Sequence, residues 1–136
     1  MKNLTKNKLA SSYDRPFKNG VTHLLKALFI LATLIIIYES LVPSNSTGTI
    51  NHFDKIAHFG AYFVLMVLAA FAYPKSRLIY LTGFVIIIGA AIEAAQGLMN
   101  LGRSASLGDL AANMLGACFA VCIWRAYIWL MASRKR

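Results

Sequence analysis

Charge is what this 136-residue sequence has least of: Asp, Glu, Lys and Arg together make up 14%, where an ordinary soluble domain carries about a quarter. That shortage argues against a chain surrounded by water. Carboxylates are scarcer still, five against fourteen Lys and Arg. Cysteine is limited to Cys118 and Cys122, four apart on one helical face, where β-carbons lie ~5–6 Å apart and a disulfide is not comfortably spanned. Both read as packing residues, and they say nothing about redox compartment. Neither a GxSxG nucleophile context nor an HExxH metal pair occurs, so no serine is marked as a nucleophile and no metal by ligand spacing.

What the sequence has in abundance is apolar length. Hydrophobic residues make up 58% and gather in four stretches, about 24–42, 56–73, 78–99 and 107–132. A hydrocarbon core about 30 Å thick needs ~20 helical residues to cross it, so each stretch reads as a transmembrane helix. The predicted fold is all-α, an integral membrane four-helix bundle, with residues 1–20 a basic arm and 21–136 the membrane domain. The first stretch has a basic lead, as a cleaved signal peptide would, but no small-residue cleavage site follows it, so it reads as a first membrane helix.

The formal net charge of +9 would suggest nucleic acid in a soluble protein, but the placement of the charges points elsewhere. Lys2, Lys6, Lys8, Arg15 and Lys18 precede the first stretch, Lys75 and Arg77 separate the second from the third, and Arg134, Lys135 and Arg136 follow the fourth. The other two connections hold only Lys55 and Arg103. By the positive-inside rule both termini and the Lys75–Arg77 turn are cytoplasmic. Four crossings with both ends inside is self-consistent. The expected partners are membrane lipids and anionic headgroups rather than nucleic acid, and the expected location is a cell (inner) membrane. Tyr38, Tyr73, Tyr80, Trp124, Tyr127 and Trp129 lie mostly near helix ends, where rings anchor at the interface, and Lys26 and Arg125 can snorkel.

The polar residues of the apolar stretches are unevenly distributed. The connection 43–54 is turn-rich, Pro74 ends the second helix before a tight turn, and 100–106 is short, so helices two, three and four should be sequential antiparallel neighbours. His58 then lies a turn inside helix two, Glu93 and Gln96 in the last two turns of helix three, and Asp109 and Asn113 in the first two of helix four. All sit near the outer face, with Asp54 and Lys55 at the mouth of helix two. Residues three or four apart share a helical face. Asp54, His58 and Tyr62 make one stripe, Glu93 and Gln96 a second, and Asp109, Asn113 and Gly116 a third. Ionisable groups in a bilayer face a bundle interior or a wet cavity, so the three stripes should line one outward-opening pocket. Gly83, Gly89, Gly97, Gly108 and Gly116 should permit the close helix approach this needs.

These residues also carry a resemblance. Asp54-Lys55-Ile56-Ala57-His58-Phe59 with Tyr62 and Leu65, then Glu93 with Gln96, then Arg103, Ser104, Asp109, Leu110, Asn113 and Gly116, resemble the VanZ-like family. The match runs over about 54–120 and leaves the first helix aside. It is the order and spacing of the parts, and their coincidence with three helix ends, that make it specific. The resemblance implies a small bacterial integral membrane protein with a glycopeptide (teicoplanin) resistance-type role, and it supplies no reaction.

Each candidate has a plain structural reading beside the functional one. Ser106 followed by Asp109 is a capping box, and Asp54 could be no more than a helix cap. Glu93 lies ~10 Å inside its helix end and needs a partner: Arg103, His58 or a proton. In company with Glu93 and Asp109, His58 becomes a candidate general acid or base. Asp54, Lys55, Tyr62, Gln96, Arg103 and Asn113 are candidate ligand-binding residues. Three carboxylates and a histidine could take a divalent ion, but without a ligand motif neither metal nor cofactor is expected. Two functions remain. One is an enzyme or binding protein handling a lipid-linked glycan or peptidoglycan precursor, and the other is a noncatalytic module whose polar residues form a helix-packing network.

Overall fold

The computed structural model describes residues 19–42, 52–99 and 105–134. Among these, four helices and no strand occur: α1 (Asn19–Leu41), α2 (His52–Ala72), α3 (Leu78–Met99) and α4 (Leu107–Ser133). Each contains a span of at least 20 residues long and apolar enough to cross a membrane. Helices suit this environment because every backbone hydrogen bond is met within the segment, with no water required.

The pattern of burial is that of a bundle surrounded by lipid. Leu24, Leu31, Ile35, Ile79, Ile87, Leu115 and Trp129 are all more than half exposed. Glu93, Gln96, Asn113 and Ser40 are buried. A surface of Leu, Ile and aromatic side chains this extensive is rare on water-soluble monomers. The four helices therefore form a multi-pass membrane protein.

Two helices begin earlier than hydropathy indicates. α1 starts at Asn19 rather than about residue 24, and α2 at His52 rather than 56. In both, polar residues continue the helix beyond the apolar stretch. Asp54 is consequently not the cap of α2 but lies within its first turn, where a carboxylate meets the positive end of the helix dipole. α3 matches the expected 78–99, and α4 extends one residue beyond the expected 132.

Sequence neighbours do touch, but the most extensive interface joins α2 to α4, which run parallel with α3 between them in the chain. Their contacts keep an almost constant offset. Lys55 meets Asp109 and His58 meets Asn113, Phe63 meets Phe119, and Phe71 meets Trp124 edge-on at 4.7 Å. Gly116 sets how close the two helices come, since a β-carbon there would overlap the Phe59 carbonyl. Tyr62, Leu65, Met66, Ala69, Val85, Ala117 and Ala120 fill the core around this seam. The packing face of α4 is thus made of Gly and Ala, while Cys118 and Cys122 are exposed on its other side. Trp124, expected as an interfacial anchor, is part of the seam.

α1 lies against α2 and α3. Phe29 meets Tyr73 edge-on, with ring centroids 5.7 Å apart, and the buried Gln96 side chain donates to the Ser40 carbonyl at 2.7 Å. Between α2 and α3 the Ser76 N–H closes a tight turn on the Tyr73 carbonyl. The helices alternate in direction along the chain, so α1 and α3 end where α2 and α4 begin. This is the polar end of the bundle. The opposite end carries Lys26, Lys75 and Arg77.

Candidate functional site

Parallel pairing of α2 with α4 brings the first two turns of both helices together at the polar end, and that juxtaposition builds the site. At its rim Lys55 Nζ donates to Asp109 Oδ1 at 2.8 Å, with the two side chains 37% and 14% exposed. One turn deeper, His58 Nδ1 lies 3.1 Å from Asn113 Oδ1. The amide oxygen facing the ring can only accept, so this contact is a hydrogen bond in the tautomer that carries its proton on Nδ1. Nε2 is then turned toward Asp54, whose Oδ1 is 3.9 Å away. In the neutral ring this nitrogen holds the lone pair of a base.

Deeper still, Tyr62 is buried between α3 and α4. Gly89 makes room for it: a β-carbon there would lie 3.0 Å from the Tyr62 ring and 3.2 Å from the Asn113 amide nitrogen. The Tyr62 hydroxyl is buried and makes no hydrogen bond among the described residues.

Glu93 reaches across from α3. Its Oε2 accepts the Ser106 backbone N–H at 2.8 Å, while Oε1 is buried with no partner among the described residues. Ser106 is the N-cap of α4 and its hydroxyl accepts the Asp109 N–H at 3.3 Å. The capping box expected of Ser106 and Asp109 is therefore only half formed within α4. Its reciprocal bond, from the N-cap N–H to a carboxylate, is made by Glu93 from another helix, and the Asp109 carboxylate goes to Lys55 instead.

The sequence candidates do not all converge. Asp54, Lys55, His58, Asp109 and Asn113 form one connected group, and Tyr62 adjoins Asn113 through the Gly89 notch. Gln96 turns away to hold α1. Arg103 and Ser104 lie outside the described residues, so the pairing of Glu93 with Arg103 does too. Of the glycines, Gly108 faces the Lys55 ammonium and Gly97 faces Ala105, but Gly83 faces nothing within 4 Å and serves no close approach.

Two participants escaped the sequence reading, the Ser106 backbone N–H and the Ser40 carbonyl. The Ser-x-x-Asp pattern signalled the first, and no signal marked the second.

Asp54, His58 and Asp109 each offer a ligand atom, all within 4.8 Å of one another. Two carboxylate oxygens and an imidazole nitrogen suit a divalent ion of moderate hardness. The Lys55 ammonium already neutralises Asp109 there, so an ion would compete with it. Chemically the site offers a potential base at His58 Nε2, a carboxylate oxygen at Glu93 and a cation at the rim.

Comparison with curated proteins and with solved structures gives no match. The family model described as VanZ/LLP1 does match, over residues 8–130, and so takes in α1, which the motif resemblance left aside. The chain belongs to the VanZ/LLP1 family.

Proposed function

We propose that the polar end faces the outside of a bacterial cell (inner) membrane, with both termini cytoplasmic, and binds a lipid-linked envelope molecule such as a glycan carrier or peptidoglycan precursor. The observation that carries this reading is the pair of buried atoms without a partner among the described residues, Glu93 Oε1 and Tyr62 Oη. In hydrocarbon each such atom costs several kcal/mol on the order of a lost hydrogen bond or more. A bundle evolved for packing alone pairs such atoms, whereas a ligand's hydroxyl groups can satisfy them.

In this reading Lys55 and Arg103 hold the anionic headgroup, a task that suits ammonium and guanidinium groups. Glu93, His58 and Asp109 supply proton transfer if the site is catalytic. Asp54, Tyr62 and Asn113 orient those groups, and Gln96 acts at one remove by holding α1 against α3. A glycopeptide (teicoplanin) resistance-type role rests on the family resemblance alone.

The second reading, a structural network, has its own support. Lys55 and His58 tie α2 to α4, Glu93 ties α3 to α4, and Gln96 ties α3 to α1. Native mass spectrometry of the gently extracted full chain, wild type beside Lys55→Ala and Arg103→Ala, separates the two. The ligand reading expects a copurifying anionic lipid-linked molecule that both variants lose while remaining helical. An empty wild type, with variants that are only destabilised, would establish the network instead.

A further inference from the structure

At the end of the bundle opposite the polar site, α1 and α3 leave a groove of about 420 Å³ between them. Phe29, Ile30 and Leu34 form one wall, Leu81 and Phe84 the other, and Tyr73 stands at the end nearest the α2–α3 turn. The single hydroxyl along the α1 wall, that of Thr33, is turned onto its own helix, donating to the Phe29 carbonyl at 2.8 Å. The groove therefore asks nothing polar of its occupant. Its volume falls within the ~300–1,000 Å³ typical of small-molecule sites.

The mouth of the groove is charged, and with one sign only. Lys26 Nζ sits 5.5 Å from the centroid of the Tyr73 ring, and the exposed Lys75 and Arg77 follow Tyr73 directly in the turn. All four carboxylates among the described residues, Glu39, Asp54, Glu93 and Asp109, lie at the other end of the bundle. The cations at this mouth consequently have no carboxylate at their own end among the described residues. An apolar cleft at hydrocarbon depth, leading to three cations at headgroup depth, matches a molecule with an acyl chain and an anionic head.

We infer that this groove is a specific seat for one anionic phospholipid of the leaflet on the Lys75–Arg77 side, with one acyl chain between α1 and α3 and the phosphate held by Lys26, Lys75 and Arg77. The site is separate from the polar end and uses none of its residues. The Tyr73 ring has two roles in it, packing against Phe29 below and orienting the Lys26 ammonium toward the headgroup above. Juxtamembrane cations attract anionic lipid in general. What the groove adds is a place for the chain, which limits the tight-binding stoichiometry to one.

Native mass spectrometry of the full chain in detergent, titrated with dioleoylphosphatidylglycerol or dioleoylphosphatidylcholine, tests this. One phosphatidylglycerol should bind at least tenfold more tightly than phosphatidylcholine. The Lys75→Ala/Arg77→Ala double variant should lose about 25-fold, roughly fivefold for each charge. Leu34→Trp, which fills the groove from an exposed position, should weaken the same lipid while leaving helicity intact, and Leu115→Trp on the exposed side of α4 should not. Equal affinity for the two lipids would overturn the assignment. So would Leu34→Trp binding phosphatidylglycerol as well as wild type, since the basic turn would then act without the groove. A dimer that Leu34→Trp dissociates would show that a second copy of the chain covers the groove, and would overturn it as well.

Discussion

The backbone N–H of Ser106, at the start of α4, donates to the carboxylate of Glu93 on α3 at 2.8 Å. That N–H is one of four that a helix start leaves without an internal partner. In an ordinary capping box the residue three positions on would accept it. Because Glu93 takes that role from a neighbouring helix, Asp109 is released to pair with Lys55, and one bond thereby couples the packing of α3 to the charge arrangement at the rim.

Glu93→Gln keeps an acceptor oxygen for the Ser106 N–H, and Glu93→Ala removes it. The alanine variant should lose about 1–2 kcal/mol of stability, the value of a helix cap, and the glutamine variant much less. Thermal unfolding in detergent measures the difference. Equal losses would mean that the carboxylate charge matters to the fold more than the cap does.

At Gly116 a methyl group would meet backbone, which cannot move aside as a side chain can. Gly116→Ala should therefore separate α2 from α4 and cost about 1–3 kcal/mol, as overpacking does. Gly83→Ala, where nothing lies within 4 Å, should stay within about 0.5 kcal/mol of wild type. The same unfolding measurement on both glycines tests the close approach directly.

Gln96 holds the last turn of α1 through the Ser40 carbonyl. Its replacement by Leu preserves bulk and removes the donor. The expected loss is about 1 kcal/mol, with faster hydrogen exchange confined to the C-terminal turn of α1. Unchanged exchange there would mean that packing alone holds the helix.

Lys55 and Asp109 should behave as a pair. Lys55→Ala and Asp109→Ala each lower the unfolding midpoint, and the double variant should fall short of the sum of the two, as contacting residues do. Strict additivity would show that the 2.8 Å contact contributes nothing.

Orientation is checked with single cysteines placed in a background lacking Cys118 and Cys122. A membrane-impermeant thiol reagent added to intact cells should label Ser46→Cys and spare Ser76→Cys. The reverse result would place the polar end in the cytoplasm.

The four helices were legible because lipid demands long apolar segments, and hydropathy reads those directly. Their starts were less so, as at Asn19 and Asp54, where polar residues continue a helix that composition alone would end. The polar face of each helix followed from spacing, and Asp54, His58, Asp109 and Asn113 do meet. What spacing could not give was the partner helix. Short connections suggested antiparallel neighbours, yet the main seam joins the parallel α2 and α4, because Gly116 and the alanines of α4 fit the α2 backbone. Gln96 shared the stripe of Glu93 but turned to α1, since three residues along a helix leave two side chains about 60° apart, enough to change which neighbour each faces. The Ser-x-x-Asp pattern marked Ser106 as a helix start, but the Glu93–Ser106 bond was hidden because that pattern does not say which carboxylate takes the backbone N–H.

The most direct test of the polar end as a ligand site is the occupancy of a copurified lipid-linked molecule in Glu93→Gln against wild type, measured by native mass spectrometry on protein of equal thermal stability. The ligand account predicts a wild type that carries the molecule and a Glu93→Gln variant that is folded and loses it, because the amide puts a donor in place of Oε1, an acceptor with no partner among the described residues. A stable variant with undiminished occupancy, or a wild type that carries nothing, would contradict it.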